Sequence, residues 1–338
     1  MDRTMYLLAL IGVAGSLLLG LFADNGSLLP ALLFWAAIGQ GIFALVATGE
    51  TTKARWTAPL RGTLLRLHPL LLLFPFAFLV YARDLSFYAW SAHPTGWLDP
   101  LFFTIRNALL LLAVWGLAAR YAHAALRGLP ARRTWAVLYL FGFVFSQTII
   151  AFDWVMSFEY PWISTLFGGY FFVEALYAGV AIAAVTASIL LRRRAGEVRA
   201  SLRDAATLLF GFSLLWAGQF FAQYLVIWYG NLPQEVAFLA RRVIDSPLRQ
   251  LSTLVLGCLF IVPFVVLLSR SAKTMPAVVI AMAVVVLIGI LIERVVFLLP
   301  VLALEPAIAI AEFLLLTAVF GLGYRAALRR PAAEAPAA

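Results

Sequence analysis

Apolar residues in this chain come in long blocks separated by short polar stretches. A helix rising ~1.5 Å per residue needs about 20 apolar residues to cross a hydrocarbon layer of about 30 Å. Ten blocks approach that length, at residues 5–22, 28–48, 69–82, 100–120, 134–154, 164–191, 206–229, 249–270, 275–299 and 304–324. The third is short and begins at His68-Pro69, but residues 70–82 carry no charge and Arg83 follows at once. Pro300 and Pro306 interrupt the nearly continuous stretch that holds the last two. The first is long for a signal peptide, and Leu-Phe-Ala at 21–23 is a poor cleavage site, so it reads as a retained helix. The pattern predicts an all-α integral membrane protein of about ten transmembrane helices. Residues 1–330 read as a single polytopic domain and 331–338, all Pro, Ala and Glu, as a disordered tail.

Composition narrows the class. Of 338 residues, 64% are hydrophobic and 12% charged, whereas a soluble domain has about 45–50% apolar and about 25% charged residues. A water-soluble enzyme and a disordered chain are both excluded. The net charge of +9 becomes informative once it is placed on the spans. With the N-terminus inside, 19 of the 25 Lys and Arg residues fall on the cytoplasmic side. Only Arg83, Arg241, Arg242 and Arg249 fall in outer loops, and Arg106 and Arg294 lie within spans. Basic loops face the cytoplasm, so both termini are predicted cytoplasmic. The positive charge is then a topology signal for a lipid bilayer, and no nucleic-acid partner is expected. A lone Cys258 and three histidines (His68, His93 and His123) offer no basis for a disulfide, a cysteine-held metal or a bis-histidine haem. No covalently bound or metal-ligated cofactor is expected, and no phosphate-binding loop is present.

Small residues recur every four positions on the first span (Gly12, Ser16, Gly20) and the sixth (Ala175, Gly179, Ala183, Ala187). Such stripes let helices approach closely. Tyr88, Trp90, Trp97, Trp154, Tyr160, Trp162, Trp228 and Tyr229 cluster at span ends and outer loops, where an interfacial aromatic belt is expected. Residues 233–245 have the pattern of an amphipathic surface helix.

Ionisable groups inside a bilayer are costly and mark function. The candidates are Arg106, Glu174, Glu293, Arg294 and Glu312, with Asp153 at a span end and Asn107, Gln147, Gln219 and Gln223 as uncharged companions. Counted along each helix, all lie in the outer half or near the midplane, while the inner halves are apolar or carry only Ser and Thr. This one-sidedness predicts a polar half-channel open to the outside. Gln219 and Gln223, four apart, share a helix face; Gln147 and Asp153, six apart, do not on a regular helix. Glu174 lies deep, with none of the basic candidates at its depth, as suits a carboxyl that transfers protons. Arg106 and Arg294 are open to a second reading, as structural partners of the glutamates or as snorkelling groups.

Two segments resemble a known family. One runs from Phe152 to Thr165 and includes Asp153, Trp154, Met156, Ser157, Glu159 and Trp162; the other runs from Gln223 to Glu235 and includes Trp228, Tyr229, Asn231 and Pro233. They look like the signatures of the ActF-type membrane subunit of bacterial alternative complex III, within the wider polysulfide-reductase or NrfD-like anchor family. The resemblance implies two four-helix bundles with a flanking helix pair and no haem or cluster in this chain. It implies a quinol:electron-acceptor oxidoreductase complex with iron–sulfur and c-type haem subunits and a sister NrfD-like membrane subunit. In such complexes the quinol site proper usually belongs to the sister subunit, so quinone or quinol binding here stays open. The proton path it implies would draw on Asp153, Glu174, Gln219, Gln223, Glu293, Arg294, Glu312 and Arg106. The chain departs from the family pattern at Tyr160-Pro161, where Pro-His is expected, and at Gln234, where a second glutamate is expected. A secondary transporter and a purely structural anchor remain alternatives on the residues alone.

Overall fold

Described in a computed structural model are residues 2–22, 25–244 and 246–329. Among them every regular element is helical: α1 (Asp2–Leu19), α2 (Leu29–Thr51), α3 (Ala58–Leu65), α4 (Leu73–Tyr81), α5 (Pro100–Leu126), α6 (Arg132–Ile149), α7 (Leu166–Leu191), α8 (Ala195–Gly230), α9 (Pro233–Val243), α10 (Leu248–Leu256), α11 (Val262–Leu267), α12 (Pro276–Leu298) and α13 (Pro306–Leu328). Short 3₁₀ and π segments join several of them. The expected disordered tail lies outside the described residues, as does the last position of the 233–245 stretch.

Eight of these helical stretches are long and apolar enough to cross a membrane. The other two expected spans take different forms. The third is half of a broken one, because Arg55–Leu65 and His68–Tyr81 meet at a 60° bend. Pro69 cannot donate into a continuing helix and disfavours helical geometry at His68, so the chain turns there through a 3₁₀ segment. The first is short, its apolar run covering only Arg3–Leu19. The stretch around Pro300 does divide, with α12 ending at Leu298 and α13 opening with Pro306 in its first turn, where the missing N–H costs nothing. α5 starts in the same way at Pro100, capped by Asp99, whose carboxylate accepts the Phe102 N–H at 2.9 Å.

The outward surfaces are apolar. Leu10, Leu109, Phe141, Val265 and Ile310 are all exposed large side chains on the spanning helices. Water would not tolerate so many, whereas lipid does, and helices satisfy every backbone group internally. The chain is thus an all-α multi-pass membrane protein.

Two compact units make up the chain: residues up to Ser146 with those from Leu302 onward, and Gln147–Val301. In the first, α1, α13, α2 and α4 pack in a ring. α5 lies against α4, and α6 against α5, where Tyr121 stacks on Tyr139. In the second, α7, α8, α10–α11 and α12 form another four-helix ring. Two four-helix groups and a pair agree with the expected architecture. The small-residue stripes are used as expected, since Ser16, Ala175, Ala183 and Ala187 are fully buried. A close approach in the second unit is at Gly289 of α12, where an added Cβ would sit 2.7 Å from Leu259 and 2.8 Å from the Cys258 Cβ. Both lie in the π segment between α10 and α11. Gly289→Ala should therefore destabilise the protein by about 1–3 kcal/mol, read as a lower unfolding midpoint in detergent; an unchanged midpoint would show that the π segment yields freely.

The aromatic belt is only partly that. Trp97, Tyr160, Trp228 and Tyr229 are exposed, but Tyr88, Trp90, Trp154 and Trp162 are buried. Tyr88, for instance, accepts the Tyr81 hydroxyl at 2.7 Å and packs on Trp90 and Phe103.

Candidate functional site

The second unit brings three sets of side chains to one point. α7 supplies Tyr170 and Glu174, one turn apart on the same face. α12 supplies the adjacent Glu293 and Arg294, with Phe297 one turn on. α8 supplies Trp216, Phe220 and Gln223, which recur on one face at helical spacing. Glu174 and Arg294 are both 0% exposed, and Glu293 is 4% exposed.

Arg294 donates through Nη2 to Glu174 Oε2, and its guanidinium lies 4.4 Å from the Phe171 ring centroid, a favourable cation–π position. Glu293 Oε1 accepts from the Tyr170 hydroxyl and, at 3.3 Å, from the Trp216 indole N–H. Glu174 and Glu293 lie close enough to interact electrostatically. Glu174 Oε1, Glu293 Oε2, and Nε and Nη1 of Arg294 have no partner among the described residues. Two carboxyls thus face one guanidinium in a dry environment, and the cluster is electrically neutral when the carboxyls hold one proton between them. A neutral cluster is strongly favoured there, because an uncompensated buried charge is costly.

This arrangement corrects the expectation that Glu174 has no cation at its depth. Arg294 enters about one turn nearer the helix end, about 6 Å by helical rise. A long, flexible Arg side chain covers that offset. Counting Cα depth leaves such reach out.

Beside the cluster is a cavity with an empty volume of about 750 Å³, counting the space at its mouth. Its wall is mostly aromatic and aliphatic, with Tyr170, Trp216, Gln223, Tyr224, Arg242, Ser252 and Glu293 as the residues that carry polar groups. An apolar pocket with few convergent polar groups is the usual form of a site for an amphipathic ring compound.

Residues of both family-like segments meet near this cavity. Glu159 accepts from Arg242 at 2.8 Å and pairs with Arg241 at 3.3 Å. Arg242 also donates to the carbonyls of Phe238 (2.8 Å) and Phe297 (3.0 Å) and lies over the Phe238 ring. Burial pushes its guanidinium below the ordinary value, and the Glu159 carboxylate beside it acts in the opposite sense. Trp162 stacks on Phe238 with ring centroids 3.8 Å apart. The Ser164 hydroxyl donates to the Gln223 side-chain oxygen at 2.5 Å, and its backbone N–H donates to the Met156 sulfur at 3.3 Å.

The remaining candidates divide clearly. Asp153 and Trp154 are buried in a π-helical segment at the end of α6, Ile150–Val155, and the Ser157 hydroxyl bonds back to the Asp153 carbonyl. The extra residue of a π turn breaks the regular helical register on which the Gln147–Asp153 angle depended; Gln147 is buried too. Gln219 is half-buried near Gly169, with its side-chain oxygen unpartnered. Gln223 reaches the cavity wall. Asn231, Pro233 and Glu235 form a stop and restart between helices: Asn231 takes the left-handed conformation (φ 47°) after α8, Pro233 opens α9, and Glu235 sits in its first turn. Trp228 and Tyr229 point outward. Arg106 and Glu312 belong to the first unit. Arg106 lies over Trp97 and Phe102 and donates to the Trp97 carbonyl at 3.1 Å. Glu312 is buried with one oxygen unpartnered.

Tyr170, Trp216 and Ser164 were absent from the sequence-derived candidates, and Arg242 figured only as a loop charge. The signal for two of them was available: Tyr170 precedes Glu174 by four residues and Trp216 precedes Gln223 by seven, so each shares its neighbour's face. Among the described residues no group of three or more His, Cys, Asp or Glu could hold a metal ion. Compared with models of protein families and with curated proteins, the chain matches none of them.

Proposed function

We propose that this chain is an integral membrane subunit of a quinol-oxidising complex similar to alternative complex III. In this reading it takes the protons released when quinol is oxidised. The observation that carries it is a buried carboxyl, Glu293, on the wall of an apolar cavity, with a second buried carboxyl, Glu174, close to it. Oxidation of a quinol to a quinone releases two electrons and two protons. A carboxyl pair with room for a variable proton, set against Tyr170, is suited to accept those protons one at a time. The cavity's aromatic walls suit the quinol ring, and Gln223 and Arg242 are polar groups available to its oxygens.

In this reading the electrons go to partner subunits. The resemblance names their classes: an iron–sulfur subunit, c-type haem subunits and a sister NrfD-like subunit. The excess of basic residues in alternate loops supports cytoplasmic termini, and the resemblance suggests a bacterial inner membrane; in that orientation the carboxyl pair would lie toward the outer face, where the protons would leave.

The test is to tag the chain in its native membranes, purify it gently, and measure iron, haem and quinol-dependent reduction of an acceptor. Co-purifying iron and c-type haem with quinol oxidation is the expected result. A chain that purifies intact with neither would overturn the reading.

A further inference from the structure

We propose that a groove at the C-terminal end of α5 binds the headgroup of an anionic phospholipid. The groove belongs to the first unit and has an empty volume of about 1110 Å³, counting the space at its mouth. Its lining holds Arg120, His123 and Arg127 of α5 and His68 of the broken third span. The three α5 residues recur at i, i+3 and i+7, so the charge lies on one face of the last two turns. Arg120 and Arg127 have no carboxylate partner among the described residues. Glu50, an acid near the same helix ends, is already held by Arg61 at 3.1 Å and Arg132 at 2.7 Å. The groove therefore keeps its positive charge.

The rest of that face is apolar. Trp115, Gly116 and Ala119 line the groove, and the exposed Leu112 and Leu109 continue the strip along α5 toward its N-terminus. A basic end joined to a lipid-facing apolar strip matches a molecule with an anionic head and a hydrocarbon chain. A free phosphate would use only the basic end. The 19-to-4 distribution of basic residues puts this end of α5 at the cytoplasmic interface, where anionic headgroups meet basic pockets between helices. The indole of Trp135 lies 5.6 Å from the Arg120 guanidinium and holds it at the groove's edge.

Native mass spectrometry of the full chain in detergent tests this, with phosphatidylglycerol and phosphatidylcholine of the same acyl chains as the probes. Phosphatidylglycerol is expected to stay bound where phosphatidylcholine does not. Arg120→Gln with Arg127→Gln should weaken retention about tenfold or more. The Arg120→Lys, Arg127→Lys pair should retain it, which separates charge from folding, and Arg329→Gln, elsewhere on the chain, should behave as the parent. Inorganic phosphate at millimolar concentration should not displace the lipid. Equal retention of the two lipids, an unaltered double Gln variant, or displacement by inorganic phosphate would each overturn the proposal, the last in favour of a free-anion site.

Discussion

Replacing both buried carboxyls, by Glu174→Gln together with Glu293→Gln, should destabilise the protein by about 3–5 kcal/mol, more than the two single changes added together. The argument rests on Arg294. It is 0% exposed and cannot give up its proton to become neutral. In the wild type Glu174 is its direct partner, and Glu293 stands within interaction range of both. Removing Glu174 alone leaves Glu293 to ionise in its place. Removing Glu293 alone leaves the Glu174 pair untouched. Each single Gln should then cost only about 1–2 kcal/mol, the usual range for a disturbed buried hydrogen bond. The double variant leaves a buried guanidinium with no counter-charge. Since total stability is about 5–15 kcal/mol, little of the double variant should survive purification. Adding Arg294→Met to it should restore most of the loss, because a buried ion pair replaced by apolar groups is often neutral or better. Unfolding midpoints in detergent for the four proteins decide the matter. Additive single and double effects would show that Glu293 does not stand in for Glu174.

Much of this cluster's chemistry was legible in the sequence, and its geometry was not. The spans themselves were readable because lipid demands long apolar runs, and helices are the way a single chain can satisfy its backbone there. Glu174, Glu293 and Arg294 stood out for the same reason: a charge in an apolar run is conspicuous. Their pairing was hidden because it links residues 120 positions apart through a side chain that covers more than a turn of helix. The Glu159–Arg242 contact was hidden differently. Arg242 read as an ordinary loop charge and Glu159 only as part of a family-like segment, and only the fold of α9 back onto the bundle buries Arg242 to 4% exposure. Tryptophans and tyrosines at span ends misled for a related reason. A ring at the interface and a ring buried beneath a loop have the same sequence neighbourhood, and Tyr88, Trp90, Trp154 and Trp162 are of the second kind. The break at His68-Pro69 was visible as a short span. That the missing length is supplied by Arg55–Leu65 across a 60° bend was not, since that helix carries charges of its own.

The same spare carboxyl governs the function proposed for the cavity, and Glu293→Gln is the variant that isolates it. Quinol oxidation by the intact complex should fall at least about hundredfold, the low end of what a positioned acid–base group contributes. Stability should fall by no more than about 1–2 kcal/mol. The amide oxygen of Gln can still accept from the Tyr170 hydroxyl and the Trp216 N–H, which are the bonds Glu293 makes at Oε1. Glu174 keeps its bond to Arg294. What is lost is the second carboxyl and with it the place for a transferable proton: the cluster then holds one anion and one cation and is neutral with nothing left to titrate. Glu174→Gln should be less damaging to turnover, because Glu293 remains at the cavity wall, although it must now also serve as the counter-ion of Arg294. Tyr170→Phe should fall between the two, since it removes a donor to Glu293 without removing the carboxyl. The order of the three rates, measured with iron and haem content held equal to the parent's, separates a proton-accepting pair from a purely structural one. If Glu293→Gln assembles fully and turns over at the parent's rate, the carboxyl pair serves only to hold α7 against α12, and the protons of quinol leave by another route.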